Sequence, residues 1–169
     1  MQNKLYDAIQ VLKDIVYDGD CYEEKISDWL DIAAYWFEEK DAASAESYVN
    51  KIMHVIHHSK NPEHIIRYRM AYAKVQDSNR DFINAAQGYY NACNMEGIDA
   101  ETVEQVLDAS LTCTILAPSG PRKARLLAIL YNEERLKSNQ FFPLLSKMFV
   151  GEVIRREHVE DFKGKLEDF

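Results

Sequence analysis

The segment "LTCTILAPSGPRKARLLAILYNEER", residues Leu111–Arg135, decides how the rest of the chain is read. From Ala109 to Ala117 no residue is charged. On a helical wheel Val103, Val106, Leu107, Leu111, Ile115 and Leu116 come to surround the axis in its second half. A helix that is apolar all round is a central one, packed between layers. Ser110, Thr112 and Thr114 fit that setting, because a helical hydroxyl can donate to its own i−4 carbonyl. Pro118-Ser119-Gly120-Pro121 then stops the helix, and Pro121 suits the first turn of the next one.

The charges that follow run against the helix dipole. Arg122, Lys123 and Arg125 fall at the positive N-terminal end, and Glu133 and Glu134 at the negative end. Each such placement forfeits roughly 0.3–1 kcal/mol. Two accounts are open: the long side chains bend into screened solvent, or the cations are kept for an acidic neighbour.

Working outward, the chain reads as helices separated by Gly, Pro and Asp/Asn breaks, without strand-like alternation. A first helix is expected over about 3–17 and a second from about Tyr22 to Glu39. The second carries Ile26, Trp29, Leu30, Ala33 and Phe37 on one face, which Ile32 and Trp36 widen. Asp41 caps a third, with Ala45, Tyr48, Val49, Ile52 and Ile56 as its stripe. Pro62 opens a fourth, with Ile65, Tyr68, Tyr72 and Val75. Phe82, Ala86, Tyr89 and Cys93 mark a fifth from about Asp81. Asp99 caps the helix that ends near Ala117.

The segments "DAASAESYV" (41–49) and "RDFINAAQGYY" (80–90) both place alanines one turn before a tyrosine. Aligning Tyr48 with Tyr89 gives a period of 41 residues, in the range of stacked helical hairpins. The expected fold is therefore all-α: an α-solenoid of stacked antiparallel helical hairpins, with about nine helices.

Composition agrees with a single helical domain. Of 169 residues 47% are hydrophobic and 28% charged, enough for a core and a solvated surface. Cys21, Cys93 and Cys113 lie far apart without a Cys-x-x-Cys spacing, as free thiols do in a reducing compartment. No apolar run approaches the ~20 residues that span a bilayer, and the first residues do not read as a signal peptide. The net charge of −8 is uneven. Ten Lys/Arg stand against twenty Asp/Glu through residue 121, then ten against eight. Such a surface disfavours nucleic acid and favours protein partners.

Chemical motifs are sparse. His54, His57, His58 and His64 invite a metal-dependent hydrolase reading. They lack an H-E-x-x-H pattern and a nearby cysteine pair, and a solvated helix end rich in histidine is the alternative. "SGPRK" at a helix start lacks the remainder of a phosphate-binding loop, so no nucleotide cofactor is expected. Carboxylates such as those of "FEEKD" suit exposed faces and caps, and Cys113 suits a core. No catalytic, cofactor or metal residue is assigned.

Several segments resemble one known family. "AESYVNKI" (45–52), "YRMAYAKVQDSNRDFINAAQGYYNA" (68–92), the opening segment and "LLSKMFVGEVIRREHVEDF" (144–162) are similar to the fourth-subunit family of the COP9 signalosome. The resemblance runs from about residue 20 to the end. A related proteasome-lid subunit shares the "ILAP"-type helix end but not "RLLAILYNEER". The resemblance implies a non-catalytic scaffold in the complex that removes a ubiquitin-like modifier from cullin-RING ubiquitin ligases. It implies TPR-like hairpins over 1–98 and the helical part of a PCI domain over 99–169. The winged helix that completes such a domain is not found, so the chain reads as a piece of a longer one. Implied partners are the other signalosome subunits and, indirectly, a cullin-RING ligase, with no nucleic acid and no membrane. Self-association through uncovered apolar faces is a further option. Cytoplasm and nucleus are the expected locations. Arg122, Lys123 and Arg125, with Arg155 and Arg156 as a second basic pair, are the expected partner-binding residues.

Overall fold

The computed structural model describes residues 21–166. Among them every regular element is helical, and eight α-helices are present. These are α1 (Tyr22–Glu38), α2 (Ala42–Met53), α3 (Pro62–Ser78), α4 (Phe82–Cys93), α5 (Ala100–Leu116), α6 (Pro121–Tyr131), α7 (Phe142–Val150) and α8 (Arg156–Leu166). Short 3-10 turns cover Ile56–His58 and Glu134–Leu136. The count is eight against about nine expected, and the first expected helix, about 3–17, lies outside the described residues. The chain divides into two compact units: one takes in the described residues through Arg80 with Met95–Ile98, the other Asp81–Asn94 with the residues from Asp99 onward.

In the first unit α1 packs on α2, and both contact α3. Ile26, Leu30 and Ile52 form one fully buried cluster against Tyr68, and Ala33, Val49 and Val75 form another against Phe37 and Tyr48. Burying each of the larger aliphatic side chains contributes about 1.5–3 kcal/mol. Ile32 and Tyr35 are also buried and make a separate cluster with Trp29, Trp36 and, from α2, Tyr48. On α3 the buried residues are Ile66, Ala73 and Val75, while Ile65 is half-buried and Tyr72 exposed. The face is thus rotated slightly from the expected stripe.

Helix starts follow the sequence closely. Asp41 accepts from the Ser44 backbone N–H at 3.1 Å, and Asp99 from that of Thr102 at 2.8 Å. Asn61 accepts from that of Glu63 at 3.0 Å, with Pro62 in the first turn. Each cap satisfies a donor that the first helical turn leaves open, worth about 1 kcal/mol.

The repeat has a period of forty residues rather than 41. Helices α1 and α3 are 17 residues each, and α2 and α4 are 12 each. The first pair of helices ends on Glu39 and Asn79. Next come Lys40 and Arg80, both left-handed with φ 60° and 62°, and then the capping Asp41 and Asp81. In this register Ala45 matches Ala85 and Val49 matches Tyr89, all buried. Tyr48 is only half-buried, so the tyrosines that suggested 41 are not equivalent.

In the second unit α4 and α5 pack along their lengths, and α6, α7 and α8 follow. Alanines 85, 86 and 92 of α4 are buried and let α5 approach. Residues Ser110 through Thr114 of α5 are buried without interruption, which confirms the central helix read from the opening segment. Burial ends sooner than expected, because Leu116 is 39% exposed. The hydroxyls also divide their roles. Thr114 donates to the Ser110 carbonyl at 2.8 Å, as expected, but Ser110 donates across to the Ala86 carbonyl of α4 at 2.9 Å. Thr112 Oγ1 has no hydrogen-bond partner among the described residues.

Candidate functional site

The basic residues after Pro121 are where the sequence concentrates its most unusual order of charge, and α6 positions them. Gly120 is extended, and Pro121 starts the helix without a side-chain cap. Lys123, on the first turn, then faces inward and is only 8% exposed. Its ammonium donates to the carbonyls of Ala117 at 2.7 Å and Ile115 at 2.9 Å, at the end of α5. Those carbonyls belong to the orphaned, partly negative C-terminus of a helix, and a cation there is favourable in both hydrogen bonding and dipole terms. The cost is desolvation, which pushes the Lys123 ammonium below the ordinary lysine range. The charge that is misplaced for its own helix is well placed for the preceding one.

Arg122 has a second tie of this kind. Its guanidinium donates to Asn84 Oδ1 at 2.6 Å, in the first turn of α4. At the other end of α4, Arg135 donates to Asn94 Oδ1 at 3.3 Å. Arg135 also holds Glu133 through two N–H donors at 2.8 Å each. This fork lowers the Glu133 carboxyl and raises the guanidinium from their ordinary values. Helix α6 ends at Tyr131, so Glu133 and Glu134 lie beyond its C-terminus rather than on it.

The remaining expected residues are outward. Arg125 is exposed on α6, and Arg155 is exposed with its backbone N–H on His158 Nδ1 at 3.2 Å. Arg156 is exposed and pairs with Glu160 one turn on at 2.8 Å. Among the described residues no hydrogen bond or ion pair joins the group on α6 to the group on α8. The five residues therefore serve different ends: Lys123 is internal, Arg122 is an exposed tie, and Arg125, Arg155 and Arg156 present charge to solvent.

The histidines disperse. His64 Nδ1 lies 2.8 Å from Glu23 Oε2, His58 stacks on Tyr22 at 4.4 Å between ring centres, and His57 leans on His58. Among the described residues no three His, Cys, Asp or Glu side chains are grouped as a metal site would need. Instead Glu23 is the hub. Its carboxylate accepts from the Lys60 N–H at 2.7 Å and the Ser59 hydroxyl at 2.8 Å as well as facing His64. These donors, the Lys60 N–H first, lower the Glu23 carboxyl from its ordinary value. The knot ties the start of α1 to the approach of α3. Its members are 36 to 41 residues apart, with no local spacing to reveal them.

Of the buried polar residues Lys123 serves a helix end, while Ser110 and Thr114 bond carbonyls inside α4 and α5. The thiols of Cys93 and Cys113 are buried, that of Cys93 donating to the Tyr90 carbonyl at 3.0 Å. Burial pushes the Cys93 thiol up, away from the thiolate a nucleophile needs. The class these features define is a helical-repeat protein: paired helices with capped ends and charged outer faces.

The chain belongs to the family described as PSMD12/CSN4, N-terminal, whose model matches residues 1–101. It is 36% identical to the COP9 signalosome complex subunit 4 of Neurospora crassa, over 98% of this chain and 39% of that protein. The subunit of the same name in Arabidopsis thaliana is 35% identical over 84% of this chain and 38% of its own length. That of Drosophila melanogaster is 31% identical over 90% and 37%. The chain therefore spans well under half the length of these relatives.

Proposed function

We propose that this chain is a non-catalytic scaffold segment of a COP9 signalosome subunit. It supports removal of a ubiquitin-like modifier from cullin-RING ligases by holding partner subunits in place. The similarity to the subunit 4 relatives over most of the chain carries the reading. The physical character of the molecule supports it: paired helices with capped starts, and exposed cations at Arg125, Arg155 and Arg156. Lys123, which the opening segment nominated as a partner contact, acts in this proposal as an internal brace. The TPR-like and PCI-like division near residue 98 and a cytoplasmic and nuclear location belong to the same reading.

The test is co-expression with the other signalosome subunits, followed by affinity capture. Reversal of Arg125, Arg155 and Arg156 to Glu should lower the captured amount several-fold. The thermal midpoint of the isolated chain should move by less than about 0.5 kcal/mol equivalent, as for exposed substitutions generally. Undiminished capture would refute the role of these cations. Failure of the unaltered chain to capture any subunit would refute the scaffold reading itself.

A further inference from the structure

Lys147 on α7 and His158 on α8 meet with Nζ 2.6 Å from Nε2. The other ring nitrogen, His158 Nδ1, receives the Arg155 backbone N–H at 3.2 Å. A neutral imidazole offers one acceptor and one donor, and an imidazolium offers two donors. Both nitrogens here face donors. If Nδ1 accepts from Arg155, then Nε2 carries its proton toward an ammonium. If Nε2 accepts from Lys147, then Nδ1 carries its proton toward the backbone N–H. With Lys147 as an ammonium, every protonation state of His158 leaves at least one contact donor against donor.

The pair lines a cavity of about 180 Å³ between α7 and α8. Its apolar side is formed by Phe141 and Phe162, set edge to face at 5.0 Å, with Pro143 and Leu144. The charged groups that line it besides the pair are Asp161 and Lys165, and Lys165 Nζ holds Asp161 Oδ2 at 2.9 Å. The carboxylate in the lining is therefore already engaged.

We propose that this cavity is a binding site for a carboxylate carried on an apolar body, as an acidic residue beside an aromatic one in a partner protein presents it. An incoming oxygen would accept from both Lys147 Nζ and His158 Nε2–H, leaving Nδ1 free to keep the Arg155 N–H. That arrangement resolves the donor conflict and gains two charge-assisted bonds. The phenylalanines supply the apolar contact, and the local excess of cations in residues 122–169 supplies the attraction. The site does not depend on the signalosome assignment, since its recognition chemistry is complete within Gln140–Lys165.

The experiment follows the His158 imidazole resonances of the whole chain during titration with acetyl-Phe-Glu-amide. Parallel titrations use acetyl-Phe-Gln-amide and inorganic phosphate. The expected result is a saturable shift with the Glu peptide, at least tenfold weaker binding of the Gln peptide, and loss of that preference in Lys147→Met. Equal binding of the two peptides, or a preference that survives in Lys147→Met, overturns the proposal. So does phosphate binding as tightly as the Glu peptide, because the apolar body would then contribute nothing. The peptide comparison is made on the unaltered chain, so it does not depend on how well the variant folds.

Discussion

Replacing Lys123 by Met removes the amine while keeping most of the aliphatic stem, and so isolates what its hydrogen bonds do at the end of α5. The unaltered ammonium makes two hydrogen bonds, to Ala117 O at 2.7 Å and Ile115 O at 2.9 Å. A hydrogen bond to a charged group contributes a net ~1.5–3 kcal/mol, and removing one partner also strands the other. The cation at a helix C-terminus adds ~0.3–1 kcal/mol. Against these stands the cost of desolvating the ammonium, visible in its lowered pKa. Because the lowered pKa means that desolvation outweighs the charge terms, what Lys123→Met loses is the donor to two carbonyls, an expected destabilisation of about 2–3 kcal/mol. For a chain of this size that is a fall of roughly 5–10 °C in Tm.

Urea unfolding followed by circular dichroism measures this directly, with Arg125→Met as the control that should stay within about 0.5 kcal/mol. The pH dependence gives an independent check. Burial lowers the folded-state pKa of Lys123 below its ordinary 10.5, so between those two values the unfolded chain binds more protons than the folded one. Stability then rises with pH through that window. The advantage of the unaltered chain over Lys123→Met should therefore widen toward pH 10.5 rather than shrink. A methionine variant as stable as its parent, with no such trend, would refute the brace.

Three further outcomes follow from single contacts. Glu23 has a lowered folded-state pKa, so the stability it confers is present above its ordinary 4.5 and lost as pH falls through the depressed value. The gap in denaturant midpoint between the unaltered chain and Glu23→Gln should thus be constant near neutrality and close in acid. Lys40 and Arg80 hold left-handed backbone at φ 60° and 62°. Glycine at either position should raise stability by about 0.5–1 kcal/mol in urea, after its own entropy cost, whereas alanine should not. Thr112→Val removes a buried hydroxyl without a partner and should stabilise by about 1 kcal/mol, while Ser110→Ala removes the interhelical bond to the Ala86 carbonyl and should cost a similar amount.

Helix positions and starts were legible in the sequence because they rest on local physics. Asp41, Asp81 and Asp99 cap what they precede, Pro62 and Pro121 open what they begin, and an uncharged run marked the buried half of α5. Phase was less secure. The forty-residue repeat is set by a backbone feature, the left-handed residue before the capping Asp, while Tyr48 and Tyr89 attract the eye one residue out of register. On α3 the tyrosines likewise marked the right helix but not its most buried line, because a large aromatic ring can lie along a surface that smaller Ile66 and Ala73 actually bury.

Side-chain destinations were not legible, and the opening segment shows why. On α6 alone its order of charge makes Lys123 unfavourable, yet the sum that matters includes the end of α5 six and eight residues upstream. The tight Pro-Ser-Gly-Pro reversal is what brings the two together: it returns the chain so that the first turn of α6 can reach back to the last turn of α5. A cation at the start of a helix is then also a cation at the end of its predecessor. The same logic separates Lys123 from Arg125, two residues on, which stays exposed. In a protein built of short reversals, the charge at a helix start has to be read against the helix before it.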